Sequence, residues 1–155
     1  MTRSILLDTQ LMVFLAVGLT LAGIIAKHKN LTEFTSDDFD LLVHLLGHDC
    51  RLILLPNTVS EAANLLRHHK NPERRAIMET FRSLIAGNRE YYIESAIVAA
   101  RDEYHRLGIT DSAILQCGSP DREILTADAG LYVAAMQLGM HATNFNHKRE
   151  EFGLV

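Results

Sequence analysis

The chain has 155 residues, close to the usual size of one domain, with 48% apolar residues and a formal charge of −4. That length and composition exclude a disordered or fibrous chain, and the negative charge excludes a nucleic-acid binder that works by general attraction to phosphate. An acidic enzyme whose bound metals supply local positive charge stays open, so the balance speaks against a stoichiometric binder more than against a catalyst.

In chain order, Ser4 to Leu7 is a short apolar run that reads as a buried strand, and Asp8-Thr9 as the helix start that follows it. Leu11 to Ala26 is apolar apart from Thr20. It is shorter than the roughly twenty residues of a membrane span, is preceded by an acid rather than a basic leader, and contains Gly18 and Gly23. The expectation is a buried core helix of a cytoplasmic protein, closed near Lys27–Asn30. Cys50 and Cys117 lie in apolar stretches without ligand spacing and read as buried reduced thiols, in keeping with a reducing compartment.

Thr35 to Asp38 is a cluster of capping residues, and Phe39, Leu41, Leu42, Leu45 and Leu46 follow at helical spacing up to Gly47. Arg51 to Leu55 reads as a second buried strand. Asn57-Thr58 opens a helix with Val59, Ala62, Ala63, Leu65 and Leu66 inward. Asn71-Pro72 starts a further helix, which ends near Ala86-Gly87. Tyr91 to Ile93 suggests a short strand and Ser95 a helix that stops at Gly108. Another helix begins at Thr110-Asp111. Glu123 to Thr126 is a strand, Leu131 to Leu138 a helix closed by Gly139, and His141 to Phe145 a last strand. Strands alternating with helices predict an α/β fold, an α/β/α three-layer sandwich around a parallel sheet of four or five strands. The expected boundaries are one domain over residues 1–146 and a C-terminal tail over 147–155.

In an open parallel sheet, function collects at the carboxyl ends of the strands, where strand order reverses. Asp8 ends the first strand and Asp128 follows the strand EILT; Glu61 lies in the first turns after LILLP, and Asp111 opens DSAIL. Taken singly, Asp111 is a helix cap, Glu61 an acid near a helix dipole and Asp128 a turn residue. Asp8, directly after a buried strand, is harder to explain without a partner. Taken together, carboxylates gathered at one end of a sheet repel one another unless a cation lies among them, and hard oxygen donors select Mg²⁺ or Mn²⁺. Such a cluster suits phosphodiester hydrolysis.

The segments ILLDT, VSEAANLL, ITDSAIL and ILTADAGL, in this order from Ile5 to about Phe145, resemble the signature of the PIN-domain nucleases. The resemblance implies a PIN-like, Rossmann-related fold and a metal-dependent ribonuclease acting on single-stranded or structured RNA. It also implies the toxin of a toxin–antitoxin pair as one role, with an antitoxin protein and a second copy of the chain as partners. Asp8, Glu61, Asp111 and Asp128 would then be the metal-binding acids and Thr126 the residue that orients them. The family usually has Asn two residues after its first Asp, where this chain has Gln10, and the stretch between Asp8 and Glu61 is longer than in the small toxins.

The basic residues Arg67, Lys70, Arg74 and Arg75 follow the helix of Glu61 and are candidate contacts to a phosphate backbone. His44, His48, His68 and His69 offer no third partner at zinc-ligand spacing and read as surface or half-buried side chains. A haloacid-dehalogenase reading needs a second Asp where Gln10 stands. The alternative from another class is a catalytically inactive PIN fold serving as an interaction or regulatory module.

Overall fold

The computed structural model describes residues 2–155. β1 (Arg3–Leu7), β2 (Cys50–Leu54), β3 (Arg89–Glu90), β4 (Arg122–Thr126) and β5 (Ala142–Asn144) form one sheet in the order β3-β2-β1-β4-β5. Every pairing is parallel, with Ile5 opposite Leu52 on one side and opposite Glu123 on the other. The chain builds outward from β1 to β3, then crosses to the other side of β1 for β4 and β5. This reversal puts a switch point between β1 and β4, the place where such sheets open a crevice at their carboxyl ends.

The strands are apolar on both faces because both faces are covered. Ile5, Leu7, Leu52, Leu54 and Leu125 face α1 (Thr9–Thr20), α2 (Ser36–Leu46), α3 (Pro56–Leu66), α4 (Glu73–Ala86) and α8 (Phe145–Glu151). Leu6, Ile53, Leu55 and Ile124 face α5 (Ser95–Ala99), α6 (Tyr104–Cys117) and α7 (Ala129–Gln137). The expected three-layer α/β/α sandwich is therefore present, with five strands. Side chains of successive strand residues point to opposite layers, as the period of two requires.

The apolar run after Asp8 is not one helix. α1 is buried continuously from Leu11 to Gly18 and ends at Thr20; Leu21 is extended and 59% exposed, and a 3₁₀ segment, Ala22–Lys27, follows. The Thr20 hydroxyl bonds back to the Ala16 carbonyl (2.8 Å) and to the Thr80 hydroxyl (2.7 Å), which fixes the end of α1 on α4. A helix that is apolar all round must be enclosed by protein or lipid. Here protein encloses it, and no helix among the described residues is long and apolar enough to cross a membrane.

Other boundaries move for local reasons. Leu55, not Asn57 or Thr58, precedes the first turn of α3, because Pro56 fits the first helical position. α4 starts at Glu73 without a side-chain cap from Asn71. The last strand-like run is shorter than expected, since Asn144 turns to cap α8. Residues 147–151, read from the sequence as a tail, belong to that helix, and Arg149 is only 7% exposed.

At Gly18 the backbone of α1 passes so close to α2 that a Cβ would lie 2.2 Å from the Phe39 ring. Phe39 is itself buried and packs edge-on against Phe14. Gly18→Ala is therefore expected to cost about 1–3 kcal/mol, the usual range for overpacking. Urea unfolding of the variant reads this directly, and an unchanged midpoint would show that the two helices separate without cost.

Candidate functional site

Three strands hand their chain to a helix through a polar residue whose side chain accepts that helix's first free N–H groups. Asp8 Oδ1 accepts from Leu11 N–H (2.8 Å) and Asp128 Oδ1 from Leu131 N–H (2.8 Å). Asn144 Oδ1 accepts from the N–H groups of Asn146 and His147 (2.8 and 3.3 Å). The first turn of a helix leaves such donors unpaired, so an acid or amide at the strand end is favoured on structural grounds alone.

Asp8 does more than cap. Its second oxygen accepts the Thr126 hydroxyl and the Ala127 N–H (2.8 Å), and the same Thr126 hydroxyl oxygen accepts the Asp128 N–H (2.9 Å). Thr126 is fully buried and thus couples the two strand-end acids across the switch point. Burial pushes the Asp8 carboxyl above its usual range; the three hydrogen bonds oppose that rise, and the charge of Asp128 adds to it.

Glu61, on α3, accepts a hydrogen bond from the Thr110 hydroxyl. Gly108 at φ 85° breaks α6 into two pieces, so Asp111 stands in the first turn of the second piece as the sequence suggests. Its carboxyl is pushed up to about 7, first by burial and then by the charges of Asp128, Asp8 and Glu61. The four acids come from four different elements and share one electrostatic neighbourhood.

The donor set, all carboxylate oxygen, fits a hard divalent cation in kind. Spacing is another matter. Among the described residues, no three His, Cys, Asp or Glu side chains stand close enough together to hold a metal ion. Of the roughly four acceptor positions on an ionised carboxylate, Asp8 already has three engaged. The carboxylates would have to close inward to share an ion.

Gln10 is engaged outside the four acids. Its amide donates to Glu33 Oε1 (2.9 Å) and to the Asn30 carbonyl (3.4 Å), tying α1 to the segment before α2. Thr110 and Asn146 are neighbours of the acids that sequence reasoning missed. Asn146 donates to the Ala127 carbonyl (3.2 Å), next to the Asp8 contact. Asn144 carries the same strand-end signal as Asp8 and Asp128, but as an amide it does not stand out among candidate metal-binding acids.

Of the basic candidates, Arg67, Lys70 and Arg75 are exposed, and Arg74 is half-buried with a weak contact to the Arg67 carbonyl (3.4 Å). Arg67 follows Glu61 by six positions, about 9 Å along a helix axis at 1.5 Å per residue. At this junction Lys27 pairs with Glu73 at 3.8 Å, and His69 Nε2 bonds to the same carboxylate at 3.1 Å. Cys50 is half-buried, with burial pushing its thiol up to about 11, and Cys117 is buried beside Arg122.

No family model matches the chain, and no curated protein does. Among solved structures, it is similar to a domain of a functionally unknown protein from Methanocaldococcus jannaschii DSM 2661. The two are 17% identical, the match covers 92% of this chain and 91% of that one, and the TM-score is 0.47.

Proposed function

We propose that the chain is a divalent-cation-dependent nuclease of the PIN type, cutting single-stranded or structured RNA with Mg²⁺ or Mn²⁺. One observation carries the reading: Asp111 is held at about 7 by burial and by three other carboxylates, from separate elements, at the sheet's switch point. Crowded like charges cost the fold stability, and a cation among them removes that cost. Asp8, Glu61, Asp111 and Asp128 would hold the ion. When bound, it supplies a water of lowered pKa and positive charge for the leaving oxygen. Thr126 keeps Asp8 and Asp128 in register, and Thr110 directs Glu61. Arg67, Lys70, Arg74 and Arg75 would meet the nucleic-acid backbone. An antitoxin protein and a second copy of the chain are the partners this reading carries. The hollow lined by Leu15, Leu19, Val43 and Leu84 offers apolar surface for either.

A second reading, an inactive PIN-like module, is favoured by one specific observation: the acids are not at metal-ligand spacing and Asp8 is engaged as a cap. Cleavage of matched single-stranded RNA, single-stranded DNA and flap DNA, with Mg²⁺, Mn²⁺ or chelator, separates the readings. Metal-dependent cutting of RNA is the expected result. Preference for flap DNA would move the chain to the branched-DNA nucleases. Absence of both cutting and Mn²⁺ binding would leave the module.

A further inference from the structure

Lys27, Lys29, His68, His69, Lys70 and Glu73 line a pocket of about 230 Å³. It lies between the end of the 3₁₀ segment and the α3–α4 junction, and none of these residues belongs to the acidic site. Three lysines from two distant stretches of sequence therefore border one small space. Glu73 is the acid of the lining; one of its oxygens accepts from His69 Nε2 (3.1 Å) and the other lies 3.8 Å from Lys27. The lining sets three lysines against one acid, on a chain whose formal charge is −4.

The wall behind the pocket is stiff. His28, 1% exposed, stacks on His69 with ring centroids 5.6 Å apart and planes within 14°. Its Nδ1 accepts the Asn30 N–H (3.2 Å), and its Nε2 is buried without a hydrogen-bond partner among the described residues. Burial first, then the electrostatic influence of His69, His68 and Lys29, holds its pKa below the ordinary imidazole value, against an opposing backbone contact to Leu65. His28 thus adds no charge of its own behind the three lysines, and an anion between them offsets their positive charge. Lysines act as point-charge partners of a multi-oxygen anion, whose several oxygens can take several ammonium groups at once. Arg67 and Arg75 stand exposed on either side of Lys70 in the chain and extend the positive surface beyond the pocket.

We infer that this pocket is a phosphate site, taken by one backbone phosphate of the nucleic acid whose cutting is proposed above, at a point distinct from the acidic centre. The inference rests on the nuclease reading for its occupant and on the pocket for its chemistry.

Binding of a labelled single-stranded RNA, measured in chelator across a salt series, tests it without cleavage. Lys29→Ala/Lys70→Ala should weaken binding about tenfold or more. It should also flatten the dependence of log affinity on log salt by about 0.7, the contribution of the one phosphate that the pocket neutralises on a single strand. Lys29→Arg/Lys70→Arg should keep most of the affinity, and circular dichroism should show both variants folded. Wild-type cutting with no change of affinity or slope in the alanine variant would overturn the phosphate pocket and leave the nuclease reading standing. If the wild type bound no nucleic acid while inorganic phosphate shifted the lysine side-chain resonances, the site would take free anions and the backbone occupant would be wrong.

Discussion

Asp8→Asn and Asp111→Asn are both expected to lower metal-dependent cleavage by about a hundred- to a thousandfold, yet only the second should raise stability. Removing a group that stabilises charge at a reacting centre typically costs about 10²–10³ in rate. The stability contrast comes from what each carboxylate does without metal. An ionisation displaced from 3.8 to about 7 corresponds to at most about 4 kcal/mol, and solvent access to the half-buried side chain reduces this to on the order of 2 kcal/mol. Because the folded value lies above the unfolded one, the cost is absent below about pH 4. It grows as pH rises and is complete once pH passes the folded value near 7. Asp111→Asn should therefore raise the melting temperature of the metal-free protein at pH 8 by about 4–8 °C, with no gain at pH 4. Asp8→Asn keeps one oxygen but replaces the other with an N–H donor, although both accept hydrogen bonds. Its stability should stay level or fall by about 1 kcal/mol. Thermal melts at the two pH values, beside the cleavage assay, check both halves. Cleavage by either variant near the wild-type rate would refute the assigned role, and an Asp111→Asn melt that ignored pH would refute the crowding.

Arg149→Ala should destabilise the fold by about 3–5 kcal/mol, more than the other substitutions discussed. The guanidinium donates through Nε to Asp38 Oδ1 (2.8 Å) and through Nη2 to Asp38 Oδ2 (3.2 Å). It also reaches the Glu33 carbonyl (3.0 Å) and Asn146 Oδ1 (2.9 Å), and it lies over the Phe34 ring at 5.0 Å. Asp38 is fully buried and also forms the capping box of α2 with Thr35. Deleting one partner of such a pair strands the other charge in a dry site, and that penalty, more than the attraction itself, sets the size of the effect. Arg149→Lys should recover only part of it, because one ammonium cannot reproduce the planar fork. Guanidinium chloride unfolding gives the value. A change below about 1 kcal/mol for Arg149→Ala would mean that water reaches Asp38.

The sheet and its layers were legible because short continuous apolar runs such as SILL and RLILL, each followed by a helix start, read as strands covered on both faces. Helix ends were less so. Nothing in LMVFLAVGLTLAGIIA marks Leu21 as the break; its extended backbone accompanies the Thr20–Thr80 contact, a tertiary event. Likewise the helix over residues 145–151 has few apolar residues, and what pins it is Asp38, more than a hundred positions earlier. At the candidate site, position along the strands was readable and spacing was not. The acids were expected at one sheet end, where they are, but whether carboxylates meet closely enough to share an ion depends on side-chain hydrogen bonds that no spacing rule contains. Gln10, read as a departure within the site, turns out to serve the segment before α2.

The acids at this sheet end are not equally informative about use. Asp8 and Asp128 each hold the start of a helix, so a descendant that had lost all activity would still be selected to keep them. Asp111 has no such second employment: burial and its charged neighbours raise the carboxyl, and no hydrogen bond offsets that among the described residues. A lineage free of catalytic duty would gain by replacing it with Asn or Ser. Position 111, rather than the more conspicuous Asp8, is thus where drift in related chains would distinguish a working enzyme from a retired one.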